Sequence, residues 1–269
     1  MSLIYESPVH NRKGDKVWNV FDKIVVLTIP SSDVDEIKEN MSYLPNYFIA
    51  TYRPANKTIN GGDENLSLVN ILQHNKCDET CQNITSNHID IIRRAYNEGR
   101  ENVLIFEDDV NCLSSDNLKG SFDFVKSDGW DVFFLGYCQW PIPASYMVSK
   151  NIVRLTSPMG TMSYCLSRTG MKRILNYSIK HGNEIHIDKI IGRDASLKKY
   201  GVFPSIAYQN KPPALFQKAL TKLPFTLKYS NLSKGLEYAS IIIPVVMIYF
   251  LYTQQYTIFA FLIILFFII

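Results

Sequence analysis

Residues 103–110 read VLIFEDDV, four large apolar side chains that run without a break into three acids. A short run that is apolar at every position marks a strand covered on both faces, as in a parallel sheet. Glu107, Asp108 and Asp109 then stand at the carboxyl edge of that sheet, where open α/β sheets bind their ligands. This octapeptide narrows the chain to layered α/β architectures more than any other stretch does.

The flanking sequence supplies what such a strand needs. KIVVLTI at 23–29 is a second β-branched run, and YFIATY at 47–52 a third. Between them, Val34, Ile37, Met41 and Leu44 recur at helical spacing. Residues 53–64 read as a loop, since Pro, Asn and Gly-Gly break both regular structures. Residues 85–99 form the best helical pattern, with Thr85 or Ser86 as cap, Ile89, Ile92, Ala95 and Tyr96 on one face, and Gly99 as stop. Further strands are expected at 131–135 and 160–166, and a second amphipathic helix at 169–181. Strands alternating with helices predict an α/β layered sheet.

Composition enters through its unevenness. The 269 residues are 46% hydrophobic and 20% charged, which excludes collagen-like, coiled-coil and disordered classes. The formal net charge is +3, yet residues 211–235 carry Lys211, Lys218, Lys222, Lys228 and Lys234 and no acid. The remaining body, 1–210, is nearly neutral, so the basic balance does not indicate nucleic acid. It indicates a membrane. Residues 239–252 and 256–269 are two apolar runs split by Thr253, Gln254 and Gln255. Each would be roughly 21 Å long as helix, short of a span of about 30 Å. A single long tilted helix and a short hairpin both remain open.

No apolar leader core opens the chain, and the lysines precede the apolar tail, so the positive-inside rule predicts a body facing the cytosol. Asn-x-Ser/Thr triplets begin at Asn40, Asn56, Asn65, Asn83, Asn176 and Asn231; they would be glycosylation sites only in a lumenal protein. Five cysteines cannot all pair within one chain, and Cys77 and Cys81 are expected to be ordinary thiols.

Three adjacent acids repel one another and favour a hard divalent cation with oxygen ligands, Mn²⁺ or Mg²⁺. Side chains alternate along an extended chain, so Glu107 and Asp109 should point one way and Asp108 the other. The cation would bridge Glu107 or Asp109 to an anionic ligand, most simply a diphosphate. A receiver module is excluded because Asp131 precedes its strand rather than ending it. Neither G-x-x-x-x-G-K-S/T nor G-x-G-x-x-G occurs, so P-loop and dinucleotide enzymes are unsupported.

VVLTIP, SNHIDIIRRA, VLIFEDDV, DVFFLG, GTMSYCLSRTGMKRIL, HID and FPSIAYQ follow one another in order. This series, over roughly residues 21–210, resembles glycosyltransferase family 25, the bacterial lipooligosaccharide and collagen galactosyltransferases. The resemblance implies a GT-A-like fold, a UDP-sugar donor (UDP-galactose or UDP-glucose), Mn²⁺ dependence and transfer with inversion. It also implies that Glu107, Asp108 and Asp109 are the donor and metal acids, with Glu107 and Asp109 as metal ligands. Ser86 and His88 match a Ser-His pair, here split by Asn87. Gly160, Thr161 and Tyr164 match a Gly-Thr-x-x-Tyr strand, in which at most one of Thr161 and Tyr164 should face the cleft. Asp188 matches an Asp that usually follows Pro-Val; here His186-Ile187 stand in that place. The stretch 28–33 also departs from the family's Asn-Leu and Arg-rich opening.

Inversion needs a base for the acceptor hydroxyl, and a carboxylate such as Asp188, or Asp108 in the acid triplet, suits catalysis there. His88 and Thr161 are expected to contact the donor. His186 is either a late metal ligand or a surface histidine, and Trp140 either a sugar platform or a loop anchor. The expected organisation is an N-terminal extension at 1–20, a glycosyltransferase domain at 21–210, a basic juxtamembrane segment at 211–236 and a membrane anchor at 237–269. The expected partners are a UDP-hexose, a glycan or protein acceptor and the membrane, but no nucleic acid. The Ile, Asn and Lys bias suggests an A+T-rich genome, such as that of a large DNA virus. The rival reading is a degenerate transferase fold kept as a membrane-bound scaffold, which would explain the altered residues 28–33.

Overall fold

Ile24–Thr28 is buried at every position, and its side chains divide between two separate cores. Ile24 and Val26 pack with Trp18, Ile37, Met41, Phe106 and Phe122 on one face. Val25 and Leu27 pack with Ile89, Ile92, Ile105, Tyr164 and Ile190 on the other. A strand of period two with apolar residues at both phases thus lies in the middle layer of three, with helices above and below.

The computed structural model describes residues 5–51, 79–112, 118–139, 145–181 and 185–209, with isolated positions 242, 245, 246 and 249. The strands in chain order are β1 (Tyr5–His10), β2 (Ile24–Thr28), β3 (Asn46–Thr51), β4 (Asn102–Glu107), β5 (Val110–Cys112) and β6 (Val132–Gln139). They continue with β7 (Tyr146–Ser149), β8 (Ile152–Arg154), β9 (Pro158–Ser167), β10 (Lys199–Val202) and β11 (Ala207–Gln209). The helices are α1 (Val34–Asn40), α2 (Glu79–Asn97), α3 (Leu118–Val125), α4 (Arg168–His181) and α5 (Ile187–Arg193), preceded by a 3-10 turn at Lys16–Val20.

Nine strands form one sheet in the order β1-β3-β2-β4-β9-β6-β10-β8-β7, and β11 and β5 form a separate two-stranded ribbon. β2 is parallel to both β3 and β4. The chain leaves β2 through α1 to β3 on one side, then returns through α2 to β4 on the other. The order therefore reverses at β2, and a crevice opens beyond the carboxyl ends of β2 and β4.

The sheet is mixed, which refines the parallel reading of residues 103–106. β4 is parallel to β2 but antiparallel to β9; both neighbours are covered by helices, so burial alone did not distinguish them. β1 pairs antiparallel with β3, and Trp18 lies in the core, so residues 5–20 are built into the same layered body.

Two local expectations are corrected. The helix expected from Thr85 begins at Glu79, and Thr85 is an interior residue of α2. Its hydroxyl is used elsewhere, accepting from the Ile187 amide at 3.1 Å and donating to the Ile185 carbonyl at 3.3 Å. Gly99 follows the helix with φ 78°, a left-handed value that glycine adopts without a Cβ clash. Cys81 is disulfide-bonded rather than an ordinary thiol, while Cys112 and Cys165 are free. An odd total excludes complete pairing but not individual bonds.

No helix among the described residues is long and apolar enough to cross a membrane. Ile242, Val245, Val246 and Tyr249 are helical and exposed. The rest of the expected anchor, the lysine-bearing segment at 211–236, Cys77, the loop at 53–64 and Trp140 fall outside the described residues.

Candidate functional site

The β2/β4 register sets Leu27 opposite Glu107, so Thr28 and Asp108 come next to each other as the two strands end. The Thr28 hydroxyl donates to Asp108 Oδ2 at 2.6 Å. The Ser32 hydroxyl, on the turn ahead of α1, donates to the same oxygen. Asp108 is thereby held toward α1. Glu107 turns the other way, where Thr161 of β9 donates from its hydroxyl to Oε1 at 2.7 Å.

Glu107 and Asp109 share a side as expected, and one residue holds both. Gln209 Nε2 donates to Glu107 Oε2 at 2.9 Å and reaches Asp109 Oδ1 at 3.3 Å. Its position follows from the small ribbon, which sets Gln209 of β11 opposite Val110 of β5.

Behind Glu107 lies His88, fully buried on α2. Its Nδ1 is 2.9 Å from the Tyr164 hydroxyl, and the two rings stack with centroids 5.8 Å apart. Its Nε2 is 3.8 Å from Glu107 Oε1 and has no hydrogen-bond partner among the described residues. On the far side, the turn into α5 carries His186 and Asp188, with His186 Nδ1 2.8 Å from Asp188 Oδ1.

These side chains line one cavity of about 380 Å³, formed by Thr28, Ile84, His88, Glu107, Asp108, Asp109, Thr161, His186, Asp188 and Gln209 among others. Of the residues expected from the sequence to act at the site, Glu107, Asp108, Asp109, His88, Thr161 and Asp188 are brought together, Ser86 does not line the cavity, and Trp140 lies outside the described residues. Thr161 lines the cavity and Tyr164 does not; Tyr164 lies behind it, against His88. Thr28, Ser32 and Gln209 were missed. A second depression of about 420 Å³, lined by Ser31, Ser32, Asp33, Glu36 and Asn40, shares Asp108 and Asp109 with the first.

Electrostatically the cavity is acidic and lightly solvated. Burial pushes Glu107 up to about 7 against the Thr161 hydrogen bond, with Asp109 and Asp108 adding repulsion. Burial holds His88 down at about 3, so it is neutral at ordinary pH. Burial opposes charge on His186 and Asp188 too, but each favours the charged form of the other: His186 is raised and Asp188 lowered.

No Lys or Arg is among the described residues that line the cavity. No three His, Cys, Asp or Glu side chains among the described residues are grouped so as to hold a metal ion by themselves. Carboxylate oxygens with two fixed orientations fit a hard cation that keeps water or ligand oxygens in its remaining positions.

No protein-family model and no curated protein matches the chain, so family 25 receives no support from either. Among solved structures, A197 from STIV is similar at 10% identity over 71% of this chain and 86% of that one, with a TM-score of 0.41. A glycosyltransferase involved in the glycosylation of the major capsid of PBCV-1 is similar at 11% identity over 60% of this chain and 69% of that one, with a TM-score of 0.27. Neither superposition is close enough to establish a shared fold.

Proposed function

We propose that the chain is a glycosyltransferase of GT-A-like fold that moves a hexose from a UDP-sugar to a glycan or protein acceptor, with inversion. The observation that carries this reading is the convergence of Glu107, Asp108, Asp109 and Asp188 on one cavity at the carboxyl ends of β2 and β4. Such an acid-rich pocket repels a diphosphate on its own, and no Lys or Arg among its described lining residues offsets the charge. A divalent cation, Mn²⁺ or Mg²⁺, held by Glu107 and Asp109 would neutralise the charge that develops on a departing nucleoside diphosphate.

The chain's own residues have definable parts in this reaction. Thr161 and Gln209 fix the Glu107 carboxylate, and Thr28 and Ser32 fix Asp108 in the wall between the two cavities. The neutral His88 backs the Glu107 carboxylate, its Nε2 3.8 Å from Oε1. The depression beside Asp108, rich in hydroxyl and carboxylate groups, suits the hydroxyls of an acceptor. The base for the acceptor proton comes from the His186–Asp188 pair. The apolar runs at 239–252 and 256–269 would hold this body at a membrane.

The test is calorimetric titration of UDP into the full-length chain with Mn²⁺, then with chelator, on wild type and Asp109→Asn. Binding that needs Mn²⁺ and is lost in the variant supports the proposal. A folded, monodisperse protein that does not bind UDP refutes it.

A further inference from the structure

We infer that the body docks on an anionic bilayer through the β7–β8 hairpin and the last turn of α4, on the side of the sheet where the cavity opens. This rests on the reading of the apolar runs at 239–252 and 256–269 as a membrane anchor. It adds which face of the body the anchored membrane meets.

The strand directions bring the contact together. β9 is antiparallel to β4, and β6 is antiparallel to β9. β10 is parallel to β6, β8 runs against β10, and β7 runs against β8. β7 therefore points the same way as β2 and β4. Its carboxyl end, with the turn at Lys150 and Asn151, lies on the edge of the sheet where the cavity opens. α4 leaves β9 at the opposite edge and packs back along it, so its last turn returns to the cavity side, shortly before His186. β7 and β9 are separated by β8, β10 and β6, roughly 19 Å across the sheet.

The large apolar side chains left exposed on the described body collect toward this edge. They are Ile29, Val34, Tyr146, Met147, Val148 and Ile179. Scattered exposed apolar residues are ordinary, but a group at one end marks a contact surface. Val148 is 49% exposed beside the hairpin turn, and Ile179 is 82% exposed near the end of α4.

Charge identifies the partner. Between Asp131 and Glu184 the sequence has no acid, yet it has Lys150, Arg154, Arg168, Lys172, Arg173 and Lys180. The arginines are used within the fold. Arg154 lies over the Tyr200 ring, Arg168 donates to the Tyr96 and Arg100 carbonyls, and Arg173 pairs with Asp131. Lys150, Lys172 and Lys180 are exposed and form no ion pair among the described residues. Lysines beside exposed apolar side chains suit anionic headgroups, with their stems along the apolar surface and their ammonium groups on the lipid charge. Residues 211–235 carry five further lysines and no acid, so the tether has the same sign as the docking face. On the α1 side of the edge, Asp33, Asp35 and Glu36 flank Val34 and repel such a surface. The body therefore leans on its hairpin side and leaves the depression beside α1 open.

The test is hydrogen exchange on the full-length chain in phosphatidylcholine vesicles, with and without phosphatidylserine, and in neutral detergent. Flotation with the vesicles reports the anchor separately, and neither readout depends on glycosyl transfer. With phosphatidylserine, exchange should slow at the outward amides of β7, which an edge strand leaves unpaired, and in the last turn of α4. The double variant Lys150→Gln with Lys180→Gln should still float but lose about fivefold of that slowing per lysine, and added salt should act in the same direction. Flotation without slowed exchange at β7 and the end of α4 would overturn the docking face alone. Equal slowing without phosphatidylserine would overturn its charge basis. Slowing in detergent that grows with protein concentration would assign the face to a second copy. Slowing by single-stranded RNA but not by vesicles would assign it to nucleic acid. A chain that does not float would remove the anchor reading and this one with it.

Discussion

Thr85 and Ile187, separated by 102 positions, are joined by a hydrogen bond that anchors the turn bearing His186 and Asp188. The Thr85 hydroxyl accepts from the Ile187 amide and donates to the Ile185 carbonyl, so a fully buried side chain of α2 fixes both ends of that turn. Thr85→Val keeps the shape and leaves the amide unsatisfied. It should lower unfolding free energy by about 1–3 kcal/mol. It should also slow UDP release from the donor more than it weakens UDP binding, as read by denaturant titration and steady-state kinetics.

Glu107→Gln should be stabilising, and only at high pH. The folded carboxyl is raised from 4.5 to about 7, so the folded state binds the proton more tightly than the unfolded state does. Metal-free stability therefore falls as pH rises from the ordinary glutamate range through about 7. Denaturant midpoints should show the variant ahead by roughly 1–3 kcal/mol at pH 8 and level with wild type at pH 4. UDP binding in the presence of Mn²⁺ should be lost in the same variant.

His88 has the opposite consequence at acid pH. Its folded pKa is lowered from 6.5 to about 3, so the unfolded chain binds the proton more readily. Stability is retained above the unfolded value and lost as pH falls below it. About 3 kcal/mol should disappear between pH 6.5 and pH 4 through this residue alone. His88→Gln should flatten that limb in a pH series of unfolding curves, at the cost of the Tyr164 contact. A slope equal to that of wild type would assign the acid sensitivity to other groups.

Gly192, near the end of α5, packs directly on β9. A Cβ there would meet the Pro158 carbonyl oxygen at 2.4 Å, a backbone atom that cannot swing aside. Gly192→Ala should therefore displace α5 and with it Asp188, costing about 1–3 kcal/mol. Near-ultraviolet circular dichroism and the rate of UDP release should both change.

What could be read from the sequence was whatever repeats along it. The strands at 23–29, 47–52 and 103–106, and the helix face of Ile89, Ile92 and Ala95, announce themselves by period. The acids 107–109 are legible because they are contiguous and because the strand before them is wholly apolar. The alternation that sends Asp108 away from its neighbours follows from the same period. Thr28 and Gln209 were not legible as site residues, because their partners lie 80 and 102 positions away and only the sheet register brings them together. The short strands β7, β8 and β10 were missed for a related reason: three or four residues carry too little pattern to outweigh their surroundings. Thr85 looked like a helix cap, since residue type and local sequence do not distinguish a cap from a tertiary hydrogen bond.

The ribbon of β5 and β11 has a bearing on how the protein is made. Gln209, which clasps Glu107 and Asp109, sits in the last strand of the described body, and its ribbon partner immediately follows those acids. During synthesis the nascent chain exposes the acid triplet long before Gln209 leaves the ribosome. Until then Glu107 has Thr161 but lacks its second donor, and the carboxylates stay unclasped. A chain stalled before residue 209 would have most of the sheet and no finished pocket, so the pocket is completed only when nearly all of the described body has been released.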